Sequence, residues 1–342
     1  MTLRARLERA LNARWYSERP PSAWLRPLAR LYGRVADQRA RRHRAIAEAL
    51  PVPVIVVGNL TSGGAGKTPV TIALVEAAQA MGLGVGVVSR GYGAAVSTPL
   101  PVDGATSADT VGDEPLLIAR RTGVPVCVAR ERSRAVAWLT AHHALDLVIA
   151  DDGLQHYRMP RSAEICVVDG RRGLGNGWRL PAGPLREPEA RLAHCDLVVV
   201  NGPGAAGEAL ARTWNGVHFD LSLERAVRLA DGQSKALEDF RGQRVRATAG
   251  IGHPARFFEA LRAVGLEVED HPLGDHEVVP EAILALAEHG PLLMTEKDAV
   301  KLAPPLRTQC FAVPVTLRWR DAGASRIDAL IRRVAGRAAV PS

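Results

Sequence analysis

From residue 52 onward, short aliphatic runs alternate with stretches whose apolar residues recur at helical spacing, a pattern that predicts βα units feeding a parallel sheet. The runs at 52–57, 84–88, 125–128, 146–150 and 165–168 read as strands, and 67–81, 113–122 and 131–143 as the helices between them. Right-handed crossovers set the loops after such strands along one edge, where open α/β sheets bind ligands. A second series follows, with strands near 197–200, 245–249, 266–270, 291–295 and 310–316 and helices near 254–264 and 279–288. Between the two series, residues 170–190 are too rich in Gly and Pro for a regular element and read as a hinge or a functional loop. The pattern therefore predicts two α/β lobes meeting at a cleft.

The first strand carries the sharpest chemical signal. Val54-Ile55-Val56-Val57 runs into Gly58-Asn59-Leu60-Thr61-Ser62-Gly63-Gly64-Ala65-Gly66-Lys67-Thr68, and a helical stretch follows directly. Glycines let successive backbone N–H groups turn inward around phosphate oxygens, and the helix start adds unpaired donors and a positive dipole end. Residues Thr61, Ser62, Gly63, Gly64, Ala65 and Gly66 thus read as a phosphate cradle. Lys67 would meet the β/γ-phosphates and the Thr68 hydroxyl a Mg²⁺. The strict G-x-x-x-x-G-K-[ST] pattern has Gly where this chain has Thr61. With the loop, the expected fold is a P-loop NTPase-type α/β/α sandwich over 51–180, joined by a hinge to a smaller α/β lobe over 181–342.

Composition narrows the class. At 342 residues, with 47% apolar and 23% charged content, the chain is globular rather than disordered or fibrous. Its four cysteines, Cys127, Cys166, Cys195 and Cys310, form no metal-ligand spacing and read as small buried hydrophobes. The net charge of +8 resides wholly in residues 1–50, which hold twelve Arg and four acidic residues, so the body needs no nucleic acid to explain it. That N-terminal segment has no apolar run of spanning length and no signal-peptide core. It combines Trp15, Tyr16, Trp24, Leu25, Leu28, Leu31, Tyr32 and Val35 with interleaved Arg14, Arg26, Arg30 and Arg34. An interfacial contact with an anionic membrane surface is the expectation, against a basic helix packed on the body. No protein partner is evident.

Other strand exits carry charge. Asp151-Asp152 follow Leu147-Val148-Ile149-Ala150, where a P-loop enzyme keeps a Mg²⁺ ligand, and Gln155, His156 and Tyr157 crowd in behind them. Asp113-Glu114 could be a helix cap and first-turn acid. Arg90, in Ser89-Arg90-Gly91-Tyr92-Gly93, is either a phosphate contact or a turn arginine, and Arg130 and Arg132 stand at the next exit. In the second series, Asp275 could fix the tautomer of His276. Thr295-Glu296-Lys297-Asp298 superficially matches a guanine-reading element, but its Lys and Asp are adjacent, so GTP specificity is not supported.

Taken together, PVPVIVVGNLTSGGAGKTP (51–69), VVSRGYG (87–93), VGDEP (111–115), VARER (128–132), ADDGLQH (150–156), LPAGPLREP (180–188), AGIGHPARFF (249–258), GDH (274–276) and MTEKDAVK (294–301) make the chain resemble the tetraacyldisaccharide 4′-kinase family, the lipid A kinases of Gram-negative bacteria, almost end to end. Members of that family commonly lack Gly at the position of Thr61. The resemblance implies ATP-dependent phosphorylation of the 4′-hydroxyl of a lipid-linked tetraacylated disaccharide 1-phosphate at the cytoplasmic face of the inner membrane. It implies Lys67 and Thr68 as phosphate and metal residues, and Asp113 as general base with His276 as its partner. It further implies Asp151 and Asp152 as the metal-associated pair with Gln155 beside them, and Arg130 near the phosphates. Members often carry a more apolar N-terminus; here it is Arg-dense and broken by Pro20, Pro21 and Pro27, which favours a peripheral or shallow anchor. A cytosolic P-loop switch of the ParA or metallochaperone type is the alternative, but its signature Lys is Ser62 here.

Overall fold

The computed structural model describes residues 11–17, 19–47, 49–91, 98–303 and 308–338. Tyr92 and Gly93 of the SRGYG motif lie outside these residues.

After helix α1 (Leu25–Ala45), the chain enters β1 (Val54–Gly58), whose five residues are all buried. An unbroken aliphatic run suits a strand covered on both faces, and β1 lies near the middle of the sheet. Alternation continues through α2 (Lys67–Ala80), β2 (Val85–Ser89), β3 (Leu100–Val102), α3 (Asp113–Thr122), β4 (Val126–Val128), α4 (Arg132–His142), β5 (Leu147–Ala150), β6 (Ala163–Asp169), β7 (Leu197–Asn201), α5 (Ala205–Thr213) and β8 (Val217–Leu223). Next come β9 (Arg225–Arg228), β10 (Ser234–Ala236), β11 (Arg244–Ala249), α6 (Pro254–Ala263), β12 (Glu267–Pro272), β13 (Leu292–Thr295), β14 (Cys310–Val313), β15 (Val315–Trp319) and α7 (Gly323–Ala338).

Two sheets result. The first is nine-stranded, ordered β15-β8-β7-β6-β1-β5-β2-β4-β3, and parallel except at its two edge strands. The second is six-stranded, ordered β10-β9-β14-β13-β11-β12. One apolar cluster, containing Ile55, Val70, Leu74, Val87, Ile149 and Ile165, fills one face of the first sheet, and another, with Val54, Leu139, Val148, Leu154 and Cys166, fills the other. The second sheet has its own core around Phe257, Phe258, Leu261 and Phe311.

The sheets divide the chain elsewhere than at residue 180. β7 and β8 extend the first sheet to Leu223, and β15 rejoins it, so the second sheet occupies only 225–313. The run expected as one strand at 310–316 breaks at Pro314 into β14 and β15, which belong to different sheets. Proline has no N–H for a ladder, and its fixed φ suits a turn-off point. The lobes are therefore joined by two adjacent crossings, at Glu224 and Pro314, rather than by 170–190. That Gly/Pro-rich segment instead folds against the phosphate loop, with Ser62 N donating to Pro184 O (2.8 Å) and Arg186 N to Leu60 O (2.7 Å). The helix expected at 279–288 is one α-turn, Glu281–Leu284, continued as a 3₁₀ segment, Ala285–His289.

α1 packs one face on the body. Leu25 and Ala29 pack on Ala182 and Trp178, Gly33 faces Arg179, and Arg179 pairs with Asp37 at 3.0 Å. Trp24, Leu28, Leu31 and Val35, one stripe at helical spacing, point outward; Trp24 is 70% exposed. Trp15 does not join them: it is buried, and its Nε1 donates to Pro181 O at 3.0 Å.

Candidate active site

The loop after β1 is braced on several sides. Asn59 Nδ2 donates to Gly63 O (3.1 Å), and Asn201 Nδ2, from the end of β7, donates to Ala65 O (3.1 Å). Gly63 (φ 100°) and Gly66 (φ 96°) take left-handed backbone, and a Cβ on Gly66 would stand 2.6 Å from Asn201 Nδ2. Thr61 needs no glycine: its φ is not positive, and it bridges to Leu185. α2 begins at Lys67 with no side-chain cap, which leaves its first amides to a phosphate.

The acidic pair lies beside this loop. Lys67 Nζ is 3.6 Å from Asp152 Oδ1, and Arg186 Nη1 reaches the same oxygen at 3.4 Å. Burial works to raise the Asp152 carboxyl, but Lys67, Arg186 and Arg132 outweigh it and hold the group below its ordinary range. Asp151 is fully buried; Thr71 Oγ1 donates to its Oδ1 at 2.8 Å, and its Oδ2 has no hydrogen-bond partner among the described residues. Burial, with the charges of Glu114 and Asp152, pushes Asp151 up to about 7. A buried carboxylate oxygen without a donor among the described residues, next in the chain to a second carboxylate, offers oxygen ligands of the kind a hard divalent cation takes.

Gln155 Nε2 donates to Asn59 O at 3.1 Å and its Oε1 accepts from Arg186 at 3.2 Å, tying the acidic loop to the phosphate loop. Arg132 is buried, and its Nη2 donates to Asp152 O at 2.8 Å, whereas Arg130 is exposed on the wall of a cavity of about 990 Å³. Tyr32, Arg39 and Arg44 of α1 face that cavity from one side, and Arg90, Asp152 and Arg186 from the other. His156 is pushed down to about 3 by burial and neighbouring arginines, so it stays neutral and accepts the Arg132 N–H.

The second lobe supplies the remaining group. Asp113, 4% exposed, opens α3 after Gly112 and meets His276 Nδ1 at 2.9 Å (Oδ2) and 3.1 Å (Oδ1). Burial would raise Asp113, yet the His276 hydrogen bond and Lys297 hold it below the usual carboxylate range. His276 is raised in turn by that hydrogen bond, against burial and Lys297. The sequence pattern alone gives Lys297, Arg132 and Arg186 no role; their signal is their place in MTEKDAVK, VARER and LPAGPLREP. A second cross-lobe contact joins Arg256, in the first turn of α6, to Asp169 at the end of β6, at 2.6 and 3.1 Å. The loop before α6 covers the phosphate loop closely enough that a Cβ on Gly252 would lie 3.9 Å from Gly64 N.

Known proteins resemble this chain over most of its length. A family model described as tetraacyldisaccharide-1-P 4′-kinase matches residues 21–332. A tetraacyldisaccharide 4′-kinase of Ectopseudomonas mendocina is 50% identical over 94% of this chain and 98% of its own, and one from Pseudomonas putida (strain GB-1) is 48% identical over 85% and 87%. The crystal structure of the "apo" form of LpxK from Aquifex aeolicus in complex with ATP superposes with a TM-score of 0.70 at 25% identity, covering 90% of this chain and 97% of that one.

Proposed function

The chain belongs to the tetraacyldisaccharide-1-P 4′-kinase family, and from that membership we propose how its own residues carry the transfer. It is an ATP-dependent kinase that phosphorylates the 4′-hydroxyl of tetraacyldisaccharide 1-phosphate in lipid A biosynthesis. The free amides at the start of α2 and the Lys67 ammonium bind the β- and γ-phosphates. Asp113 Oδ accepts the proton of the sugar hydroxyl as phosphorus–oxygen bonding develops, a contribution of ~10²–10⁴-fold. Its depressed pKa keeps it ionised at neutral pH, and His276 Nδ1 fixes its orientation. Arg186 and Gln155 hold Asp152 and the loop in register, and Arg130 stands free to meet an anionic group entering the cavity.

Asp151, Asp152 and Thr68 are the residues that would hold Mg²⁺; bound there, it neutralises phosphate charge in the transition state. No helix of the described residues is long and apolar enough to cross a membrane. The Trp24–Leu28–Leu31–Val35 stripe, flanked by arginines, supports peripheral attachment at the cytoplasmic face of the inner membrane, with the cavity beside α1 receiving the lipid's sugar head.

The observation that carries the mechanism is the Asp113–His276 pair, assembled from the two lobes. Purified protein supplied with Mg·ATP and tetraacyldisaccharide 1-phosphate should yield a 4′-phosphorylated product detectable by mass spectrometry. ATP hydrolysis without phosphorylated lipid would sink the mechanism.

A further inference from the structure

The Thr295–Asp298 segment takes no part in the transfer described above, yet its lysine stands among three carboxylates. Lys297 Nζ lies 3.1 Å from Glu114 Oε1, 3.6 Å from Asp275 Oδ1 and 3.8 Å from Asp113 Oδ2. At 17% side-chain exposure, little water screens it.

Its backbone platform is rigid. Asp298 is fully buried and accepts from Gly250 N (2.9 Å), Thr295 Oγ1 (2.6 Å) and Lys301 Nζ (2.8 Å). The one-turn helix Glu296–Ala299 grips α3 at a second place, where Arg121 Nη1 meets Glu296 Oε2 at 2.7 Å. Glu114 and Arg121 are seven residues apart, hence on one face of α3. Opposite charges thus alternate across the joint, and the lysine is carried to the catalytic end of that face.

Resting on the assignment of Asp113 as base, we propose that Lys297 is a positioning residue of the kinase: arriving with the second lobe, it neutralises the Asp113–Glu114–Asp275 cluster and keeps Asp113 ionised and turned to His276 only when the lobes are together. The groups facing Asp113 are His276, Lys297 and Lys301 from the second lobe and Glu114 beside it on α3. Asp275 lies beyond His276 and Lys297, and Asp151 beyond Glu114. Without the ammonium, the carboxylates of Glu114 and Asp275 stand near Asp113 with Lys301 and the imidazole to oppose them among the described residues, and like charges favour protonation. Burial disfavours the charged lysine, but Glu114, Asp113 and Asp275 hold it above the ordinary lysine range, so it stays charged throughout the working pH range.

The test compares kcat and KM for ATP across pH 5.5–9 in wild type, Lys297→Met, Lys297→Arg, Glu114→Gln and Asp113→Asn, with melting temperatures alongside. Lys297→Met should lose ~10-fold or more in kcat on the acidic side, with the acidic limb moved to higher pH and the KM for ATP little changed. Lys297→Arg should restore the limb, and Glu114→Gln should move it the opposite way. A Lys297→Met enzyme with wild-type kcat and limb overturns the proposal. So does a pH-independent loss accompanied by a raised KM for ATP, which would make the lysine a nucleotide ligand. If Lys297→Met does not fold, an unmoved limb in Glu114→Gln decides against the proposal. Full turnover in Asp113→Asn, by contrast, would remove the base assignment itself and the proposal with it.

Discussion

Arg256 and Asp169 form a latch between the lobes whose strength follows from its geometry. Asp169 is 4% exposed and caps its own turn, accepting from the backbone N–H groups of Arg171 (3.1 Å) and Arg172 (3.0 Å), while Arg256 adds a two-pronged contact from the other lobe. Charge-assisted hydrogen bonds contribute about 1.5–3 kcal/mol each where water is excluded. Arg256 is 38% exposed, so solvent screening reduces the pair, and the two amides remain when the guanidinium is removed. We therefore expect Arg256→Ala to cost about 2 kcal/mol. A double-mutant cycle with Asp169→Asn should give a coupling of about 1–2 kcal/mol, read by denaturant unfolding. Because the pair spans the cleft, the same energy biases closure: about 2 kcal/mol is roughly 30-fold in the closed-to-open ratio, which should raise the KM for ATP. Burial opposes the ionised Asp169, but Arg256 and Arg172 leave its carboxyl below the usual range. The latch should then hold above the ordinary Asp pKa and fail as pH falls through the lower, folded-state value. Additive single-mutant effects, with no coupling at pH 7, would refute this account of closure.

Further outcomes follow from the same structure. Asp113→Asn and His276→Ala should each lower kcat at least ~10²-fold while ATP affinity stays within a few-fold, measured by steady-state kinetics and calorimetric titration; because the Asp113 pKa is depressed, wild-type turnover should persist well into mild acid. In chelator, wild-type protein should lose stability on the order of 4 kcal/mol as pH rises from about 4 through about 7, since the raised Asp151 carboxyl must ionise in a buried site; Asp151→Asn should lack that slope and gain no melting temperature from added Mg²⁺. Replacing Trp24, Leu31 and Val35 by Glu should weaken co-sedimentation with anionic vesicles about tenfold or more without changing the melting temperature, because these side chains touch water rather than the core.

The first lobe was legible where one signal dominated. Aliphatic runs such as Val54–Val57 can only be covered strands, and the phosphate loop announces itself by residue type. β3, β9 and β10 are short, exposed or interrupted by charge, so local pattern does not reveal them. Which sheet β7, β8 and β15 join is a long-range property: the alternation of strand and helix reads the same on either side of residue 180. Within the site, Lys67, Asp113, Asp151, Asp152 and His276 follow from motifs, whereas Arg132 surpasses Arg130 in contacts only because α4 turns it inward while its neighbour faces the cavity. Lys297 could not be placed from sequence, since its role depends on which face of α3 the second lobe touches.

The pairing of β8 with β15 also bears on how the molecule is made. Leu223 lies opposite Val315, so the strand that protects this edge of the first sheet leaves the ribosome roughly 90 residues after the strand it covers. At ~5–20 residues per second, the edge waits several seconds while the whole second lobe is synthesised. An unpaired strand is a template for wrong partners. Slowed synthesis through residues 224–314 should therefore lengthen the interval in which nascent chains can associate through β8, and fast folding of the inserted lobe, which brings its two ends side by side, is what closes it.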